Sequence, residues 1–264
     1  MSSLIKHAII EPYTFPNCLY KEFRWIMELF LFIIIILVAS TLQTSTGYGF
    51  SILATPFLLL LFAPFEAIQI NLTLSLVISI ALMAKISNVV DMKIVKRFTL
   101  GSIIGLPIGI IIFLYTNVSM LNIGISIIIL VLTILLILRF RINHHSKKDI
   151  FVGAISGSLT TSIGMPGPPL LLYFSSTDTE KDKLRATTLA FYLFIYFLSL
   201  IIQVIFVGTN KTVWIYSGLA LPVVFIGLFL GQILFKRMNQ RFFQIFTYII
   251  LLFTGIYLLI DSTF

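Results

Sequence analysis

The chain is poor in charge. Asp, Glu, Lys and Arg make up 11% of its 264 residues, where a soluble domain carries about a quarter. Hydrophobic residues make up 59% and the mean hydropathy is +1.08. That balance excludes a water-soluble enzyme and a nucleic-acid-binding module. The formal charge of +8 does not restore a nucleic-acid partner. The 18 Lys and Arg fall in short clusters between apolar stretches, not along one basic face, and clusters so placed are what membrane topology requires. A single cysteine, Cys18, excludes a disulfide framework, an iron–sulfur cluster and a Cys-based zinc site. The three histidines, His7, His144 and His145, lie outside the apolar spans, and the pair sits among Arg139, Arg141, Lys147 and Lys148 as a solvated loop would. No metal or other cofactor is expected. Acidic residues are missing from mid-span; Glu66 and Asp91 fall at ends or in loops. A cation site or a proton-coupled carrier often keeps an intramembrane carboxylate, so the gap favours a small anion and leaves the coupling open.

What is present is a series of long apolar runs. At about 20 residues per membrane-spanning helix, the length holds six to nine helices and no large soluble domain. Residues 1–27 are mixed in charge, contain Pro12 and Pro16 and lack an apolar core, so they read as an extramembrane arm with no cleavable signal peptide. The remainder contains itself twice, as residues 28–142 and 143–264 of one membrane domain. Thr44-Ser45-Thr46-Gly47 in STLQTSTGYGF answers Thr161-Ser162-Ile163-Gly164 in SGSLTTSIGMPG at an offset of 117. Pro107 in GLPIG answers Pro222 in ALPVV. Each half opens with an apolar stretch interrupted by small, hydroxylated, Gly and Pro residues, at 29–63 and 150–176. Three uninterrupted segments follow in each, at about 67–84, 98–115 and 120–138 and then at 186–207, 212–235 and 242–260. The expected fold is an all-α polytopic membrane protein of two repeats, each a broken or re-entrant helical hairpin plus three transmembrane helices.

Charge arithmetic separates two topologies. If each broken stretch crosses once, the repeats are parallel and 12 Lys and Arg lie inside against 6 outside. If each stretch enters and returns, the repeats are inverted and the count is 14 against 4. Cytoplasmic loops carry the excess of Lys and Arg, so inversion is preferred. The length of 29–43, about 22 Å as a helix, still leaves a full crossing open. Inverted repeats with discontinuous helices place a substrate site near the membrane midplane, where the breaks meet.

The breaks offer Gln43, Thr44, Ser45, Thr46, Gly47, Tyr48 and Gly49 in the first half, and Thr160, Thr161, Ser162, Gly164, Pro166, Gly167 and Pro168 in the second. Hydroxyls donate hydrogen bonds without charge, and glycines let backbone N–H groups approach a ligand. A helix restarting after a break presents free N–H groups and a partial positive charge. Together they suit an anion. Any single Ser, Thr or Gly here also suits close helix packing; the two breaks as a pair point to a site. Asn71, Thr73 and Ser75 share one helix with either a packing or a lining role. Arg185, beside Ala186-Thr187-Thr188, is either a plain inside-positive residue or an attractor at the cytoplasmic mouth. Trp25, Trp214 and Tyr216 read as interfacial anchors.

The repeated layout, the TS-x-G-x-G-F…P break, and G-x-x-T-x-x-x-G-x-P-G-P-P-L-L-L-Y followed by Arg185-Ala186-Thr187 resemble the TauE/SafE family, also called sulfite exporters or 4-toluene sulfonate uptake permeases. The resemblance spans about residues 28–261, and its most specific part is Gly157 to Tyr173 with Arg185-Ala186-Thr187. It implies a multi-pass permease of the cell (plasma or inner) membrane of a bacterium, carrying sulfite, sulfonates or related anions by alternating access. On this reading the substrate-binding residues are Thr44, Ser45, Thr46, Gly47, Gly49, Asn71, Thr161, Ser162, Gly164, Gly167, Arg185 and Thr187. The partners are a small anion and the lipid bilayer, with no nucleic acid, and a homo-oligomer stays open. A permease for another anion and a non-transporting membrane scaffold are the alternatives. Transport requires a polar cavity bounded by both breaks; a scaffold would have a dry, filled centre.

Overall fold

The computed structural model describes residues 14–116, 118–138, 146–175 and 179–237, with isolated positions between 249 and 260. The expected segment 242–260 therefore falls mostly outside the described residues. Among them every element is a helix. In order these are α1 (Thr14–Thr46), α2 (Phe50–Leu61), α3 (Pro64–Ile86), α4 (Met92–Tyr115), α5 (Val118–Ile137), α6 (Ser146–Ile163), α7 (Gly167–Ser175), α8 (Lys181–Phe206) and α9 (Lys211–Arg237), with a 3-10 turn at Ser87–Val89. Five described helices are long and apolar enough to cross a membrane: Ile26–Thr46 of α1, Pro64–Val89, and α4, α8 and α9. The chain is an all-helical polytopic membrane protein. α1 begins at Thr14, inside the residues read as an extramembrane arm, and its apolar part starts at Ile26.

Local chemistry sets the boundaries. α1 and α6 each stop at a glycine with positive φ, Gly47 (φ 88) and Gly164 (φ 73), a conformation only glycine adopts at little cost. Pro64 opens α3, and the Glu66 carboxylate accepts from the Ala63 N–H at 3.1 Å. Asp91 caps α4, accepting from the N–H groups of Lys93 and Ile94 at 3.1 and 3.3 Å.

Both broken stretches fold back on themselves. Phe62, just past α2, meets Phe32 of α1 edge to face at 5.6 Å. Tyr173 of α7 donates to Asp149 in the first turn of α6 at 2.8 Å. Each pair joins the far end of the second leg to a point on the first leg fourteen residues before its end, Phe32 in α1 and Asp149 in α6, so both are antiparallel hairpins with their tips at the breaks. Tyr216, read as an interfacial anchor, instead closes an aromatic triad with Phe32 and Phe62 at 5.4 and 4.8 Å. Trp214 is half exposed, as an anchor would be; the Trp25 side chain lies outside the described residues.

The helix contacts come in matching pairs that cross between halves. α4 packs on α6 and α9 packs on α1. Both seams are parallel and made of small residues. A Cβ at Gly101, Gly105 or Gly109 of α4 would run into the backbone carbonyl of Ile150, Ala154 or Ser158, and one at Gly153 of α6 into that of Phe98. Gly227 and Gly231 of α9 lie as close to α1, against the side chains of Ser40 and Thr44 and, for Gly231, the Thr41 carbonyl. Such close approach is how helices gain contact in lipid, where burial itself adds little. Between these seams α3 and α8 run antiparallel. At one end Gln69 donates to the Gly208 carbonyl at 2.7 Å. At the other the Asp91 N–H donates to the Thr187 hydroxyl at 3.0 Å and Lys183 pairs with the Asp91 carboxylate at 2.9 Å. The outer faces are apolar and exposed, Ile104 at 61% and Phe229 at 68% among them, as lipid contact requires.

Candidate functional site

The two hairpin tips meet between α3 and α8. At the first tip the Gly47 N–H donates to the Gln43 carbonyl at 2.7 Å and the Tyr48 N–H to the Thr46 hydroxyl at 3.2 Å. Gly49 lies so close to Leu42 that a Cβ there would sit 2.7 Å from the Leu42 Cβ. Gly47 rests on the backbone and side chain of Arg185, with room for no more than a tight Cβ 3.1 Å from its Cα. At the second tip Asn71 donates to the Gly164 carbonyl at 2.7 Å. Gly167, the first residue of α7, faces Ile52 of α2 and the Tyr192 hydroxyl, 3.0 and 3.2 Å from where its Cβ would stand. Tyr192 and Tyr196 lie 4.9 Å apart by ring centroid, and the Tyr196 hydroxyl is 3.3 Å from that of Ser51 in the first turn of α2.

Each hairpin is also tied to the long helix that follows it. Gln43 donates to the Ser75 carbonyl and the Ser79 hydroxyl, both at 3.3 Å. Gln203 donates to the Thr161 carbonyl. The centre is polar but closed: Gln43, Thr44, Asn71, Thr161, Tyr192, Tyr196 and Gln203 are fully buried, and Ser45, Thr46, Tyr48, Ser162 and Arg185 nearly so. The open cavity expected between the breaks is thus replaced, among these residues, by packed polar side chains. Several buried polar atoms there have no hydrogen-bond partner among the described residues, including Thr44 Oγ1, Ser75 Oγ, Arg185 Nε and the Tyr192 hydroxyl. Each such orphan costs about 1–3 kcal/mol, a cost that a purely structural core avoids by using apolar side chains.

The residues expected at the site divide into three sets. Gly47, Arg185, Asn71, Gly164 and Gly167 come together around the tips. Ser45, Thr46 and Ser162 instead turn their hydroxyls to carbonyls of their own helix, Leu42 for the first two and Ser158 for the third, at 2.7–3.0 Å. Gly49 packs on its own hairpin. Thr44 leans on Gly231 in the α1–α9 seam. Thr161 contacts Ser199 at 3.4 Å, and Thr187 serves the Asp91 loop. Arg185 sits inside the protein, not free at a mouth; its guanidinium lies 4.3 Å from the Phe235 ring centre. The restarted helices also differ. Pro168 and Pro169 remove two first-turn N–H donors from α7, whereas Phe50, Ser51 and Ile52 keep theirs at the start of α2.

The sequence does not single out Tyr192, Tyr196 and Ser51 as site residues. The signal was the spacing of Thr188, Tyr192, Tyr196, Ser199 and Gln203, a polar stripe on an apolar helix. Asp149 was also missed: it is buried beneath Arg97, its ion-pair partner at 3.0 Å, and Tyr173.

The family described as sulfite exporter TauE/SafE matches residues 31–258. The chain belongs to the TauE/SafE family. No match was found among curated proteins or among solved structures. TauE/SafE proteins are transporters, and both breaks, with all the residues around them, lie inside the matched region. Membership and fold together make this chain a multi-pass membrane protein of the exporter type.

Proposed function

We propose that this TauE/SafE protein is a permease, not an enzyme, for sulfite, sulfonates or related small anions in the cell membrane of a bacterium. The two halves act as inverted repeats rocking about the hairpin tips. The antiparallel α3–α8 pair supports inversion, because parallel repeats would run these two helices the same way. So does the return of each hairpin toward its starting side. The observation that carries the proposal is the meeting of two glycine breaks, φ 88 and φ 73 at matched positions, around buried unpartnered polar groups.

In this reading the closed centre opens to each side in turn. The anion is held by the first-turn N–H groups of α2, by neutral hydroxyls and by Arg185, whose backbone and Cγ rest on the first tip and whose guanidinium would have to leave the Phe235 ring to reach it. A negative cell interior drives an anion outward at about 2.3 kcal/mol per charge per 100 mV, so export needs no second ion. All these groups come from one chain, so a homo-oligomer is not needed for the site. A permease for another small anion uses the same groups, and a scaffold needs none of them.

The test is flux of radiolabelled sulfite and a simple sulfonate into proteoliposomes under an imposed potential of either sign, beside Arg185→Gln. Flux that follows the potential and falls about tenfold or more in the variant is expected, that fall being the loss of one charge-assisted contact. Liposomes with protein no more permeable than those without, for either anion and a panel of organic anions, would overturn the transport reading.

A further inference from the structure

The buried centre contains acceptors as well as donors. Three amide side chains point their nitrogens at backbone carbonyls: Gln43 at Ser75, Asn71 at Gly164 and Gln203 at Thr161. A carbonyl can only accept, so each amide is fixed with its oxygen turned the other way. All three oxygens are buried and lack a donor among the described residues. Beside them stand hydroxyls free to donate. The Tyr192 hydroxyl is fully buried, unpartnered, and faces Gly167 at the start of α7. The Ser75 hydroxyl, one turn along α3 from Asn71, has only the Tyr196 hydroxyl beside it.

A ligand that can only accept would satisfy the hydroxyls and be repelled by the amide oxygens. A second negative charge would also have to be buried with Arg185 as the one cation beside the tips among the described residues, at a high desolvation cost. We propose that the site selects a monoanion that still carries a hydrogen-bond donor, an O–H or N–H group, with Tyr192 and Ser75 donating to its charged oxygens and the amide oxygens of Gln43 and Asn71 accepting from it. Tyr192 and Ser75 thereby become specificity-determining residues. The inference rests on the permease reading and narrows its substrate class: hydrogen sulfite is favoured over the sulfite dianion, and a hydroxylated sulfonate over an alkyl one.

Three probes in proteoliposomes test it. Hydroxymethanesulfonate and ethanesulfonate have nearly the same shape and the same charge, and differ by an O–H in place of a methyl group. The first is expected to cross about tenfold faster or more, the loss on leaving buried polar groups unpaired. Sulfite flux at fixed total concentration is expected to fall about tenfold for each pH unit above the pKa of hydrogen sulfite. Tyr192→Phe, which keeps the ring and removes the donor, is expected to slow both transported anions about tenfold while the thermal unfolding midpoint stays level or rises. Ethanesulfonate crossing as fast as its hydroxylated counterpart, or sulfite flux rising with pH, would overturn the donor requirement while leaving anion transport standing. Unchanged flux in Tyr192→Phe would remove that residue from the site. Absence of flux for all three probes would overturn the permease reading and this one with it.

Discussion

Gly105 sits at the centre of the seam between α4 and α6, and replacing it by alanine measures how that seam is built. The added Cβ would overlap the Ala154 carbonyl oxygen and lie 2.8 Å from its carbon and 2.9 Å from the Ser158 nitrogen. Ordinary contact between such atoms is at about 3.5–4.0 Å, so the helices must part by about 1 Å. The obstacle is backbone, which cannot rotate aside, and a gap of that size forfeits about a quarter to a half of each dispersion contact along the stripe. The cost belongs at the upper end of the overpacking range, about 3 kcal/mol. Alanine returns about 1 kcal/mol through its higher helix propensity, leaving a loss of about 2 kcal/mol. In a domain of this size that lowers the unfolding midpoint by about 4–8 °C. Gly218→Ala on α9 is the control. Nothing lies within 4 Å of its added Cβ, so propensity alone acts and the midpoint should rise by a few degrees. Thermal unfolding of the purified protein in one detergent, followed by intrinsic fluorescence, reads both. A Gly105→Ala protein as stable as Gly218→Ala would refute close backbone packing at this seam.

Gly47→Ala and Gly164→Ala should each cost about 1–2 kcal/mol through the left-handed backbone alone, with the latter losing more because its Cβ would stand 2.7 Å from Asn71 Nδ2 and displace the amide that donates to the Gly164 carbonyl, whereas that of Gly47 meets Arg185 at 3.1 Å; unfolding midpoints of the two variants check the order. Tyr173→Phe should cost about 1.5–3 kcal/mol, the worth of one hydrogen bond to a charged group. Asp149→Asn should cost more, because it leaves the Arg97 guanidinium facing a neutral group across 3.0 Å. The Lys183 ammonium holds the Asp91 carboxyl below its ordinary range. This contribution is therefore fully present above the unfolded-state value near 4, and is lost as pH falls through the lower folded one. Lys183→Met should then flatten the acid limb of a stability profile below about pH 4 and change it only slightly near neutrality.

Much of the architecture is written in the spacing of Gly47 and Gly164. Interruptions in otherwise apolar runs are conspicuous, and their common offset gives the pairing of the halves. The glycines of α4 and α6 are equally visible as four-residue repeats, but spacing along one helix does not say which other helix it faces. The site was less legible. A serine or threonine before a break looks the same whether it points to a ligand or back to a carbonyl three or four residues earlier, and Ser45, Thr46 and Ser162 do the latter. Tyr192 and Tyr196 were hidden by their neighbours, since aromatic residues on an apolar helix usually mean packing. Asp149 was hidden by its position at the end of a basic loop, where a carboxylate is ordinarily solvated. Its burial depends on Arg97 and Tyr173, 52 and 24 residues away.

The crossed seams have a consequence for how the protein is made. The glycine stripe of α4 is complete once Tyr115 has been synthesised, yet its partner α6 begins 31 residues later, at Ser146. The groove on α1 that receives Gly227 and Gly231 waits longer still, for the last described helix. During translation the first half therefore stands in the bilayer with both binding seams vacant, open to lipid tails or to another nascent chain. Neither half should then be a folding unit alone. A chain cut between α5 and α6 should yield two fragments that are each short-lived, yet rescue one another when produced together.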